Sequence, residues 1–309
     1  MLAEAIASVL KQTQKSLEVI VVDDCSTDGT EEYVRGISDS RVRYIRNMKN
    51  CGTEASRGIA LRQARGKYIT FLDHDDYYTD YEFFAKAVKI FEENDTAENP
   101  IVFVSANYRI INTNTGKLSV FDAGRTGRTG SVEYILNTVR SVSMFNAVFK
   151  VEVLRRPVFD DGLYFVPMTY VPASFFGDVW LLPDIAGVYR IHGGNLTFGG
   201  KVSSPEIERR HFGVMKTNIT RWRFARKKLC GVVGKKEADS WYLSGMFGIM
   251  RYYAIARPGF KDRFRTLCII LRGSGFMPEL WLCLIQNALL FIPRRIVRQI
   301  RRIFSRKNS

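Results

Sequence analysis

Two stretches decide the fold: Lys67–Asp76, KYITFLDHDD, and its counterpart Leu17–Asp24, LEVIVVDD. Each is an apolar run of strand length that ends abruptly in carboxylates. Strands apolar on both faces belong to parallel sheets covered by helices on either side. The intervening sequence supplies such helices. CSTDGT (25–30) is a turn in which Ser26 or Thr27 can cap a helix over Thr30–Gly36. Arg41–Arg46 (RVRYIR) alternates like a strand with one wet face, and Gly52–Arg65 has helical periodicity. Upstream, Leu2, Ile6, Val9 and Leu10 share one helix face. Downstream come a helix at Tyr81–Glu93, a loop at NDTAENP (94–100) and a strand at Ile101–Ile111. Asn112–Gly130 is polar and rich in Gly and Thr, which predicts a loop, and Val179–Leu182 and Gly187–Ile191 predict two short strands. Strands alternating with helices imply an α/β protein with a doubly wound, mostly parallel sheet.

The chain has 309 residues and a formal charge of +15. With 46% apolar and 25% charged residues it has globular composition, which excludes a mostly disordered chain. The charge is unevenly placed. Residues 201–309 hold 24 Lys and Arg against 6 Asp and Glu, a net of +18, whereas residues 1–200 hold 22 against 25, a net of −3. Two regions are therefore expected, a near-neutral α/β domain over 1–200 and a helical, basic region over 201–309. Five cysteines, odd in number and never spaced CxxC, argue against a disulfide framework or a cysteine zinc site and fit a reducing compartment. No basic-then-apolar leader opens the sequence, which predicts a protein that is not secreted.

In open α/β sheets, ligands bind beyond the carboxyl ends of the strands. Asp23-Asp24 and Asp73, Asp75 and Asp76 fall at that edge. Carboxylates there repel an anionic ligand unless a divalent cation lies between, and Mg²⁺ or Mn²⁺ takes one or two carboxylates together with substrate phosphates. Such an arrangement suits departure of a nucleoside diphosphate. A solvated, Asp-rich turn is the bland alternative for either cluster alone.

The runs AIASVLKQT (5–13), LEVIVVDDCSTDGT (17–30) and NCGTEASRGIALRQARGKYITFLDHDD (50–76), with VWLLPDIAGVYRIHGGNLT (179–197), resemble family 2 glycosyltransferases of GT-A fold. The resemblance covers roughly residues 1–200. It implies that Asp24 hydrogen-bonds a uracil ring while Asp23 shapes the turn, and that Arg57 lies near the nucleotide. It also implies that Asp73 and Asp75 form the DxD pair, Asp75 as direct metal ligand and Asp73 toward the ribose. Arg190 would lie near the diphosphate, and His192 would add a metal ligand. Gly193-Gly194 would let backbone approach phosphate.

Two departures from the family pattern stand out. Family members precede the AIxSVLxQT helix with a VSVIIPTYN-type strand, whereas here Met1 falls at the helix edge, so the resemblance implies that one strand is absent. Inverting transfer also needs a carboxylate to take the acceptor proton. By spacing, Thr169-Tyr170-Val171-Pro172 stands where an acid-Asp-Trp-Pro sequence is expected, and tyrosine, with a pKa near 10, is a poor base at neutral pH. Asp160, Asp161 and Asp178 are nearby carboxylates, and Asp161 is the candidate base. Without one, the chain would bind a nucleotide-sugar or a partner protein without turnover.

In the basic region, Gly275–Pro293 (GFMPELWLCLIQNALLFIP) is apolar but interrupted by Glu279, Gln286 and Asn287. RRIVRQIRRIFSRK (294–307) follows, with Ile296, Val297, Ile300, Ile303 and Phe304 on one helical face and arginines on the other. This pattern predicts an interfacial helix on an anionic membrane surface rather than a spanning one. No zinc finger, RNP-type strand or helix-turn-helix pattern supports nucleic acid as the partner. The resulting expectation is a cytoplasmic glycosyltransferase, peripheral on the inner face of the cell membrane. It would move sugar from a UDP-sugar, with Mn²⁺ or Mg²⁺, to a lipid-linked glycan acceptor.

Overall fold

The computed structural model describes residues 1–130, 144–156, 176–192 and 223–231, with isolated positions at 159, 173, 234–236, 238, 239 and 242. Asp160, Asp161, Tyr170, Gly193, Gly194 and the 275–309 segment lie outside the described residues. The chain divides into two compact units, Met1–Phe198 and Gly199–Ser309.

The first unit is mixed α/β. Helix α1 (Leu2–Leu10) buries Ala5 and Ile6, with Val9 packed against the core. Just beyond its end, fully buried Gln12 donates to the Asp80 carbonyl (2.8 Å) and accepts from the Phe84 N–H (3.1 Å). Both ends of that side chain are therefore satisfied, as a buried amide requires, and α1 is fixed to the start of α4 (Phe83–Asn94). Strand β1 (Val19–Asp23) pairs in parallel with β2 (Val42–Arg46), with α2 (Thr30–Arg35) between them. Among the described residues β1 has this one neighbour, and Val19–Val22 are half-buried rather than enclosed as their sequence predicts. A strand covered on one edge leaves part of both faces open.

Among the described residues a seven-stranded sheet carries the main core. Strand β5 (Ile101–Asn112), buried through its first eight residues, runs parallel to β9 (Asp178–Ile191) over nearly its whole length. Short antiparallel strands complete the sheet. β8 (Ala147–Lys150) joins β5, and β3 (Tyr68–Ile69) pairs with β8. On the other side β4 (Tyr77–Tyr78) pairs with β9. β6 (Lys117–Phe121) pairs with β5, and β7 (Gly127–Thr129) with β9. Helix α3 (Thr53–Gln63) precedes β3, and a short α5 (Val151–Leu154) follows β8.

Three readings change here. The expected loop at 112–130 contains β6 and β7. The two strands expected at 179–182 and 187–191 are one strand with a bulge, where the register jumps from Ala106–Leu182 to Asn107–Ile185. Pro183 causes the break in pattern, because it has no N–H for a ladder, and a bulge is where a strand tolerates it. Its carbonyl is satisfied by the Asn107 side chain (3.1 Å). The expected strand at 67–72 pairs only over Tyr68–Ile69, after which the chain turns into the acidic loop. In the second unit residues 223–231 are helical, and Ala225, Leu229, Ala238 and Tyr242 are fully buried. Among the described residues no helix is long and apolar enough to cross a membrane.

Candidate functional site

The two acid clusters meet through α3. Strand β1 ends at Asp23, and two residues later Cys25 takes left-handed backbone (φ 67°), a conformation uncommon for a non-glycine. That sharp turn follows directly on the two aspartates, which take different partners. Asp23 is buried and accepts from the Ser26 N–H (2.8 Å), the Tyr44 hydroxyl (2.5 Å) and Arg46 (3.0 Å), so it shapes the turn. Asp24 faces the start of α3. It accepts from the Cys51 N–H (2.8 Å), the Gly52 N–H (2.6 Å) and Asn47 Nδ2 (2.8 Å). Gly52 holds φ +86°, which lets the backbone present its N–H there without a Cβ penalty. A carboxylate on the free N–H groups of a helix start is favoured by the helix dipole as well. Burial pushes the Asp24 carboxyl up, but these three donors, together with the Ser56 side chain, outweigh it and hold the group below its ordinary pKa.

One turn further along α3, Arg57 Nη2 bonds Asp73 Oδ1 at 2.6 Å. Thus a single helix contacts the ends of both acidic stretches, which lie far apart in sequence. Arg57 is largely buried (12% exposed) while Asp73 stays 40% open, so the carboxylate rather than the guanidinium faces solvent.

The other wall comes from β9. The Arg190 N–H donates to Asp76 Oδ1 (2.9 Å), and its guanidinium donates to the Asp75 carbonyl (2.9 Å) and to Glu4 of α1 (2.6 Å). The same guanidinium lies 4.2 Å from the Tyr77 ring centroid, a cation–π distance. Two residues on, His192 Nε2 is 2.9 Å from Asp75 Oδ2. Asp76 is 1% exposed, and its Oδ2 has no hydrogen-bond partner among the described residues. Burial first, then the neighbouring Asp75 and Asp73 charges, push its pKa up to about 8 against the pull of the Arg190 N–H.

The structure therefore brings Asp24, Arg57 and Asp73 together on one side, and Asp75, Arg190 and His192 on the other. Asp178, an alternative base, opens β9 and pairs with Arg128 (3.2 Å), whereas Arg190 stands at the far end of that strand. Roughly 30–40 Å of extended chain separates them, so Asp178 is removed from the site. Sequence reasoning missed Asn47, Glu4 and Tyr77, and put Asp76 in the acidic cluster without giving it a role. Asn47 was within reach, because a parallel register that sets Asp23 against Arg46 sets Asp24 against Asn47.

The Asp75–His192 pair fits a hard divalent cation. It offers one carboxylate and one imidazole at hydrogen-bond separation, and Mg²⁺ or Mn²⁺ draws the rest of its shell from water and substrate phosphate. Among the described residues no group of three or more His, Cys, Asp and Glu converges on a metal position.

The model of the family described as "Glycosyl transferase family 2" matches residues 1–156. The UDP-Glc:alpha-D-GlcNAc-diphosphoundecaprenol beta-1,3-glucosyltransferase WfgD of Escherichia coli is 36% identical over 114 residues, 37% of this chain and 43% of that protein. The putative colanic acid biosynthesis glycosyl transferase WcaA of Escherichia coli K12 is 46% identical over 77 residues, 24% of this chain and 28% of its own. The chain thus spans less than half the length of these relatives. The S. aureus TarS 1–349 crystal structure superposes with a TM-score of 0.50 at 16% identity, over 88% of this chain and 85% of that one. The fold is of the GT-A kind, and the chain belongs to glycosyl transferase family 2.

Proposed function

We propose that the protein is an inverting, metal-dependent glycosyltransferase. It moves a sugar from a UDP-sugar to a lipid-linked or polysaccharide acceptor in cell-surface glycan biosynthesis, working in the cytoplasm at the inner face of the membrane. The observation that carries the reading is the double grip of α3, whose start holds Asp24 and whose second turn holds Asp73. Relatives named for glucosyl transfer from UDP-Glc to a diphosphoundecaprenol-linked sugar, and for colanic acid biosynthesis, favour the donor and acceptor classes.

In this reading Asp24, held ionised by its three donors, accepts the uracil N–H. Asp73 faces the ribose, its orientation fixed by Arg57. Asp75 and His192 hold Mn²⁺ or Mg²⁺, which when bound neutralises charge on the departing diphosphate. Arg190 sets the loop, since its grip on the Asp75 carbonyl and Tyr77 fixes the backbone on which Asp75 stands. The acceptor hydroxyl gives its proton to a carboxylate as it attacks the anomeric carbon. Asp161, outside the described residues, is proposed for that role from its place in the sequence.

The test is UDP release from UDP-sugars by the purified chain, with and without Mn²⁺, against Asp75→Ala. Release that needs the metal and falls at least a hundredfold in Asp75→Ala is expected, a typical cost of losing a charge-stabilising group. Equal release from both proteins would remove Asp75 from the site. UDP binding without any release would leave a nucleotide-sugar-binding protein in place of a transferase.

A further inference from the structure

Asn47, the residue after β2, is 7% exposed, and a buried amide is costly unless its hydrogens are used. Its own N–H continues the β1–β2 ladder onto the Asp23 carbonyl (2.8 Å). Its side chain bridges to α3. Nδ2 donates to Asp24 Oδ1 (2.8 Å) and to Ser56 Oγ (3.0 Å), so both hydrogens are committed. Ionised Asp24 can only accept, which fixes the end of the amide that faces it. Ser56 is itself buried in the first turn of α3 and precedes Arg57, the residue that holds Asp73.

A buried polar group that serves packing alone can be exchanged, with its partner, for apolar groups of the same shape at little cost. The Asn47 amide instead ends on Asp24, which is half-buried and so open to a ligand. Backbone N–H groups at the start of α3 hold that carboxylate from one side, and Asn47 holds it from the other. Of these three donors, Asn47 is the side chain, and so the one that substitution removes. We infer that Asn47 is a positioning residue for base recognition: it keeps Asp24 oriented and acceptor-only, so that the site takes a pyrimidine whose N3 carries a hydrogen and rejects one whose N3 is a lone pair. Uracil is the first kind and cytosine the second. A site built to pair with a donor discriminates against the analogue that lacks it. The inference rests on the proposed reading of Asp24 as acceptor of the uracil N–H and adds the residue that makes this acceptor selective.

The affinities of the full chain for UDP and CDP are measured by calorimetry at neutral pH with saturating Mn²⁺. Wild type is expected to bind UDP about tenfold or more tighter than CDP, and Asp24→Asn to abolish or reverse that ratio. Asn47→Asp keeps the side-chain volume but sets a second carboxyl where the amide donated. Two carboxyls at that separation share a proton, so Asp24 ceases to be acceptor-only, and the UDP/CDP ratio falls about fivefold or more. Ser56→Ala, which removes the second anchor of Asn47 and adds no charge, lowers the ratio in the same direction. Asn47→Asp decides where its urea midpoint matches wild type, and Ser56→Ala decides where it does not. If the deciding variant keeps the wild-type ratio, however much it weakens both nucleotides, Asn47 is merely structural and the inference is overturned while Asp24 stands. If wild type does not distinguish UDP from CDP, or Asp24→Asn keeps the ratio, the reading of Asp24 fails and the inference falls with it.

Discussion

Asp24 accepts three hydrogen bonds, two of them from the backbone at the start of α3. Asp24→Asn keeps the shape but replaces one acceptor oxygen with a donor that faces an N–H. Hydrogen bonds to a charged group are worth about 1.5–3 kcal/mol, so UDP affinity measured by calorimetry should fall about tenfold or more. Unchanged affinity would move the uracil elsewhere. Asp76 makes a different prediction. In the fold it keeps its proton to about pH 8, whereas in the unfolded chain it ionises near pH 4. Between these values the fold binds the extra proton, so the group's contribution is full below about pH 4 and is lost as pH rises toward 8. In urea denaturation without metal, the wild type should lose on the order of a few kcal/mol relative to Asp76→Asn between pH 5 and 8. Parallel profiles would return Asp76 to an ordinary pKa. The carboxylates ending the two apolar runs were legible because strand ends in α/β sheets are ligand sites. Glu4 and Tyr77 were not legible. Their part depends on where Arg190, over a hundred residues away in sequence, lands on them, and no local pattern encodes that.

At the scale of elements, β4 and β9 approach closely because residue 187 has no side chain. A Cβ on Gly187 would run into the Tyr77 carbonyl oxygen and the Tyr78 backbone, neither of which can rotate away. Gly187→Ala should destabilise the fold by about 1–3 kcal/mol, the usual cost of overpacking. It should also weaken Mn²⁺ binding, because β4 carries Tyr77 under Arg190. Gly29→Ala is the control, since open space surrounds that position and its backbone is ordinary. A Gly187→Ala protein with an unshifted urea midpoint would show that the strands can separate freely. The same two strands mark the limit of sequence reading. Val179–Leu182 and Gly187–Ile191 were visible as strands, but Pro183 reads as an interruption until Asn107 is seen satisfying its carbonyl across the sheet. Residues 117–121 and 127–129 looked like loop because edge strands have few enclosed positions to fill with apolar residues. Their partners, β5 and β9, fix them from outside.

For the whole molecule, the decisive quantity is the division of charge, −3 over residues 1–200 and +18 over 201–309. A uniformly basic protein would meet any polyanion with any face. A near-neutral region joined to a basic one would, on the proposed function, keep donor binding in the first and attraction to an anionic surface in the second. The apolar segment ending at Pro293 and the arginines after it, which lie outside the described residues, are the proposed anchor. Each arginine near an anionic bilayer is worth about 1 kcal/mol, and the attraction fades within a Debye length of roughly 8 Å at physiological salt. Replacing Arg294, Arg295, Arg298, Arg301 and Arg302 by Gln should therefore cost up to about 5 kcal/mol of membrane partitioning, a fall on the order of a thousandfold. It should also flatten the dependence of vesicle sedimentation on salt. UDP binding should not change, because Asp24, Arg57 and Asp73 all belong to the first unit. If the five-fold variant sediments with anionic vesicles as the wild type does, and with the same salt dependence, the C-terminal arginines are not the anchor. The residual binding would then be assigned to other surfaces.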